Sequence, residues 1–279
     1  MSKQKILVPI GFSSYSHHLV DYAVNLAKRI DGELHLVHGL EIPHSIESFC
    51  DERKLDEIRT NINQSLEATK KEITDKHPID VITKLIFGRV YESILSYQNE
   101  HKIDYLVIGA NGSDRLSDFI GANAFRVLRE TYSPAITLKG DCKKTDFKDI
   151  VVPLDLTNEV NENIRKACQI AENFNDITLR LVCATPSKDE FVINRITRHM
   201  GQIKDSIAKD NISVSSEIIT GINSKNEIAS TLIDYARKVD ADLIIIMTQK
   251  EKDPVKYYIG SIALQIMNQD EFPVMSMVP

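Results

Sequence analysis

The sequence predicts an α/β protein: two doubly wound, five-stranded parallel-sheet domains in tandem, each with strand order 3-2-1-4-5. Three observations predict it. The chain repeats itself once. Short β-branched runs recur along each half. The segments between them carry helical spacing. Strands that alternate with helices need crossovers, and crossovers give parallel sheets covered on both faces.

The duplication is the firmest of the three. "KILVPIGFSSYSHHLVDYAVNLAKRI" from Lys5 aligns with "KDIVVPLDLTNEVNENIRKACQIAENF" from Lys148. Pro9 matches Pro153, Gly11 matches Asp155 and Ser13 matches Thr157. "DYLVIG" at Asp104 matches "DLIIIM" at Asp242, "FIGANA" matches "YIGSIA", and "SPAITL" matches "FPVMSM". The charged stretch "GDCKKTDFK" reads as the connection. The first domain is therefore expected over 1–140, a linker over 141–148 and the second domain over 149–279.

In the first half the runs at 6–10, 34–38, 81–87, 105–109 and 135–138 read as strands. Leu19, Ala23, Leu26 and Ile30 mark one buried helical face, and Ile164, Cys168, Ala171 and Phe174 do nearly the same in the second half. Residues 51–77 read as a longer helix with Leu55, Ile58, Ile62, Leu66 and Ile73 as its inner stripe. Gly88 and Gly221 each look like a strand end leading into a helix, with Asn223 or Ser224 as a cap.

Composition narrows the classes of function. The 279 residues are 42% hydrophobic and 27% charged, as in globular proteins. Formal net charge is -6 and no Lys/Arg run supplies a patch for nucleic acid. No run approaches a membrane span, and the start of the chain has no signal-peptide pattern. Cys50, Cys142, Cys168 and Cys183 lack CxxC spacing, which fits a reducing cytosol.

In wound sheets, ligands sit beyond the carboxyl ends of the strands where the order reverses. That rule selects the loops at 9–14, 38–40 and 109–121, and their counterparts at 153–158, 183–185 and 247–260. The stretch "IGANGSDRLSDFIGAN" falls there, with Gly109, Gly112 and Gly121. Glycines with positive φ could turn backbone N–H groups inward as a nest, and a helix starting at Gly121 offers open N–H groups to a phosphate. The bland alternative is a tight turn that starts a helix. Asp114 and Asp118 would repel a polyphosphate unless a divalent metal or Arg115 intervened.

The "ILVP" first strand, the Ala- and Leu-rich helix and the glycine loop before the last helix resemble the universal stress protein (UspA-like) family. The likeness covers both halves, as in a tandem member. It implies a Rossmann-like, adenine nucleotide alpha hydrolase-like fold. The family has a branch that binds adenine nucleotide and a branch that does not. Carried over by position, the resemblance implies a site from Pro9, Ile10, Gly11, Gly39, Gly109, Gly112, Gly121, Ala122 and Asn123. A second would comprise Pro153, Leu154, Asp155, Gly260 and Ser261. Neither is intact. The first has Gly11 for the family's aspartate and Ala122 for its Ser/Thr, the latter a loss of about 0.5–1.5 kcal/mol. The second keeps Asp155, Gly260 and Ser261 but places Thr248 and Glu251 where the glycines belong. Lys250 and Lys252 could meet an anion there, balanced by Glu251 and Asp253.

The leading expectation is a cytoplasmic, non-enzymatic stress-response protein that binds ATP or AMP, with or without a divalent metal, as a regulatory ligand in at least one half. Its partners would be the nucleotide and unidentified proteins, with neither membrane nor nucleic acid. The family commonly dimerises through the last strand, so a tandem chain would form an internal pseudo-dimer or a homodimer. Alternatives are a nucleotide-free interaction scaffold and a slow ATP hydrolase using Asp114 or Asp118 as base. No catalytic triad, P-loop or metal cluster emerges. His17 and His18 open a helix, and His35 and His38 face opposite sides of a strand, with His44 beyond it.

Overall fold

The computed structural model describes residues 3–12, 16–42, 51–110, 120–140, 142–156, 161–174, 176–250 and 257–277. The chain divides into two compact units, Met1–Asp141 and Cys142–Pro279.

The first unit runs β1 (Lys5–Pro9), α1 (Ser16–Ile30), β2 (Glu33–Leu40), α2 (Glu52–Lys76), β3 (Val81–Phe87), α3 (Val90–His101), β4 (Tyr105–Gly109), α4 (Ala122–Glu130) and β5 (Ala135–Leu138). Its strands lie in the order β3-β2-β1-β4-β5, and every pair is parallel. Ile6, Leu7 and Val8 have no solvent exposure, as a central strand covered on both faces requires.

The second unit repeats the plan. It runs β6 (Asp149–Pro153), α5 (Asn161–Asn173), β7 (Thr178–Ala184), α6 (Glu190–Lys209), β8 (Ser213–Ile219), a 3₁₀ turn (Lys225–Glu227), α7 (Ile228–Lys238) and β9 (Leu243–Met247). A short antiparallel pair follows, β10 (Gln249–Lys250) with β11 (Tyr257–Tyr258), then α8 (Ser261–Met267) and β12 (Val274–Met277). The parallel strands lie in the order β8-β7-β6-β9-β12.

Several repeated residues do the same structural job in both units. Asp104, just before β4, accepts the N–H of Lys5 at 2.8 Å. Asp242, just before β9, accepts those of Lys148 and Asp149 at 2.9 and 3.0 Å. Each aspartate thereby fastens the start of the unit's central strand, whose first N–H groups would otherwise lack a partner. Gly88 (φ +107°) and Gly221 (φ +81°) turn the chain out of β3 and β8 in conformations that side chains rarely adopt. Asp31 and Asp176, then Lys102 and Asp240, take left-handed φ at matching helix ends.

Three expectations need adjustment. Of the stripe on α2, Leu66 and Ile73 are buried but Ile58 is 43% exposed, because the helix outruns the sheet beneath it. Ser224 precedes the 3₁₀ turn but makes no capping bond. Glu227 instead reaches back to the Asn223 N–H at 3.4 Å. In the expected linker 141–148, Cys142 and Phe147 are buried, Phe147 stacks on Phe174 at 5.1 Å, and Lys144 reaches Asp240 at 2.5 Å. Apolar anchors draw that segment onto the second unit. Among the described residues no helix is long and apolar enough to cross a membrane.

Candidate functional site

Strand order reverses between β1 and β4 in the first unit, so the crevice opens at their carboxyl ends. Pro9 ends β1. Ile10 continues the pairing, its N–H donating to the Val37 carbonyl at 2.8 Å, and its side chain is buried. Gly11 is exposed, its carbonyl accepts from the Ser16 hydroxyl, and a Cβ built on it would meet nothing within 4 Å. Steric crowding therefore does not explain the glycine.

Phe12 and His38 were not foreseen as a pair. Their rings stack at 4.9 Å with planes 21° apart. His38 Nδ1 lies 2.8 Å from the Ile10 carbonyl, which only accepts, so Nδ1 carries the proton. Phe12 remains 47% exposed. An aromatic ring this exposed can serve as a stacking surface. The sequence held a signal in the aromatic that follows "VPIG", but the stack exists only because β1 and β2 are neighbours.

On the β4 side, the Ala110 N–H extends the ladder to Leu138 at 2.7 Å, and the Gly121 N–H returns to the Ala110 carbonyl at 2.9 Å. One hydrogen bond thus closes the base of the loop. Gly121 precedes α4 with φ −59° and ψ 147° and has no side-chain cap. Any residue adopts that φ, and Gly109 is a strand residue, so neither glycine supplies the nest expected of them. Gly112, Asp114, Arg115 and Asp118 lie outside the described residues. Ala122 and Asn123 are exposed at the first turn of α4, where backbone N–H groups have no helical acceptor. The Arg126 guanidinium lies 5.1 Å from the Tyr91 ring, joining α4 to α3 beside this end.

Gly39 carries a packing constraint. A Cβ there would come within 3.3 Å of the Val90 side chain, so the glycine admits the start of α3 against β2. It is a packing position.

In the second unit Leu154 repeats the Ile10 bond, donating to Val182 at 2.8 Å, and Pro153 ends β6. Asp155 is exposed. Register places Leu156 and Cys183 where the first unit has Phe12 and His38, and both are buried. Burial pushes the Cys183 thiol up. The Thr248 N–H bonds the Met277 carbonyl at 2.8 Å, as Ala110 bonds Leu138. Met247 therefore stands where Gly109 does, one residue earlier than Thr248. Gly260 precedes α8 with φ −60°, uncapped, and Ser261 is its first residue. Ser13, Ser14, His44, Cys50, Thr157, Asn158, Glu251, Lys252 and Asp253 lie outside the described residues.

Among the described residues no three His, Cys, Asp or Glu side chains group as metal ligands. His35 is spoken for by Tyr97 and Glu33.

The sequence model of the universal stress protein family matches residues 3–139. Universal stress protein MJ0531 of Methanocaldococcus jannaschii is 21% identical over 139 residues, 49% of this chain and 82% of that protein. Universal stress protein YxiE of Bacillus subtilis is 27% identical over 146 residues, 48% of this chain and 98% of that protein. A solved universal stress protein from Archaeoglobus fulgidus aligns over 100% of this chain and 99% of its own, with TM-score 0.75 and 14% identity. At that identity the likeness speaks for the fold alone.

Proposed function

Because this chain belongs, through residues 3–139, to the universal stress protein family, we propose that it is a non-enzymatic stress-response protein whose first unit binds an adenine nucleotide as a regulatory ligand. The observation that carries this reading is the open rim at the end of β1. Gly11 leaves space, and Phe12, backed by His38, presents a half-exposed ring beside it. The base stacks on Phe12, and the phosphates lie toward the exposed first turn of α4 at Ala122 and Asn123. The nucleotide acts by its preference for one arrangement of the β1 and β4 loops, a state that partner proteins read. Three buried free thiols, Cys142, Cys168 and Cys183, accord with a reducing compartment.

The chain has no Trp, so a bound nucleotide visibly raises its 260/280 nm absorbance ratio. Acid extraction and chromatography of the purified protein should identify adenine nucleotide. Added ATP or AMP should raise the melting temperature of nucleotide-stripped protein without turnover. A clean protein spectrum together with no thermal shift rejects the reading.

A further inference from the structure

The amino-terminal edge of the first unit's sheet, away from the rim just described, holds a buried polar cluster. His35 on β2 is 1% exposed. Its Nε2 lies 3.0 Å from Glu33 Oε1 and its Nδ1 lies 2.9 Å from the Tyr97 hydroxyl. A carboxylate only accepts, so Nε2 carries the proton. Nδ1 is then the acceptor, and the Tyr97 hydroxyl donates to it. The His101 ring stacks on Tyr97 at 3.9 Å and meets His35 edge-on at 5.8 Å. His101 Nδ1 donates to the Tyr97 carbonyl at 3.0 Å. Lys5 Nζ, from β1, donates to the His101 carbonyl at 3.2 Å and lies 4.0 Å from Glu33. Glu100 on α3 also acts on Tyr97. From β3, the residue in register with His35 is Ile82, which does not titrate.

We propose that His35 is a proton-sensitive latch: neutral, it fastens the last turns of α3 to β2, and mildly acidic solution releases them. A second ring proton would point Nδ1–H at the Tyr97 oxygen. The hydroxyl hydrogen must then leave that line and find another acceptor in a buried setting. The new charge would also sit near Lys5 and against His101. Glu33 opposes this, but burial dominates and holds the His35 imidazole below its ordinary range. Burial, with Glu33 and Glu100, pushes Tyr97 up to about 12, so its hydroxyl stays a donor.

The sign of the pH effect follows. Above the unfolded value of about 6.5, the ring is neutral in both states and the stabilisation is complete. As pH falls below it, the unfolded chain takes the proton and the folded unit does not, so stability is lost. One pH unit below the unfolded value, the effect reaches at most about tenfold in the opening equilibrium.

The test uses the full chain labelled with ¹⁵N-histidine, with hydrogen-exchange protection read at residues 97–103. The expected result is an Nε2–H tautomer for His35, a titration midpoint below those of the exposed histidines, and loss of α3 protection between pH 7.5 and 5.5. His35→Gln keeps a donor and an acceptor but takes up no proton, so its protection should depend less on pH. Tyr97→Phe removes the frustrated hydroxyl, so the His35 midpoint should rise. A merely structural role would leave that midpoint where it was. The latch is overturned if His35 titrates with the exposed histidines, if its midpoint is unchanged in Tyr97→Phe, or if wild type and His35→Gln lose protection equally. Should His35→Gln not fold, the midpoints in wild type and Tyr97→Phe decide.

Discussion

At the end of β1 the first unit leaves Gly11 and Phe12 exposed beside a half-buried His38, while at the end of β6 the second unit buries Leu156 and Cys183 in the matching places. Among the described residues, a hydrogen bond from Gly121 to Ala110 lies at the base of the loop after β4, and a short antiparallel ladder, Gln249 with Tyr258 and Lys250 with Tyr257, lies in the loop after β9. Elsewhere the two units agree in strand order, in the aspartates before β4 and β9 and in the glycines after β3 and β8. Duplication has kept what holds the sheet and changed what faces the crevice. A half-exposed ring offers surface for a planar guest to stack on, whereas a buried Leu and thiol offer little.

The comparison can be broken most decisively at its two equivalent side chains. Leu156→Ala should cost about 2–5 kcal/mol of stability in the second unit, because it empties a packed site. Phe12→Ala, at a half-exposed position, should cost less than about 1 kcal/mol. Urea unfolding measures both, and equal losses would erase the distinction. For binding the ranking reverses. Phe12→Ala should weaken adenine nucleotide affinity by about 1–3 kcal/mol, roughly 5- to 150-fold in Kd, if stacking carries the base. Leu156→Ala should leave affinity unchanged, and calorimetry on the folded variants distinguishes these outcomes. The smallest effect should come from Gly11→Asp, which borrows the second unit's residue. It should tighten binding by about 1 kcal/mol through a bond to the sugar, with no change in stability, since its Cβ meets no neighbour. Weaker binding in that variant would mean that the space at Gly11 serves some other purpose.

Most of the scaffold was legible because its determinants are local. β-branched runs placed β3, β4 and β5 to the residue. Asp51 and His77, the expected ends of α2, are its caps. The site was less legible because its determinants are neighbours across strands. The Phe12–His38 stack depends on the pairing of β1 with β2. The role of Gly39 depends on Val90, which is distant in sequence and adjacent in space. The ladder of β9 with β12 sets Met247 in the place of Gly109, as the match of "DYLVIG" with "DLIIIM" implies. Ile58 fits a helical stripe, yet periodicity carries no information about where the sheet beneath it ends.

The paired aspartates at the amino edge have an evolutionary consequence. Because Asp104 and Asp242 anchor each central strand from the side away from the crevice, substitutions at exposed mouth positions such as Gly11 and Phe12 leave those anchors intact. A doubled frame of this kind carries two mouths, each able to change without touching what fastens its sheet.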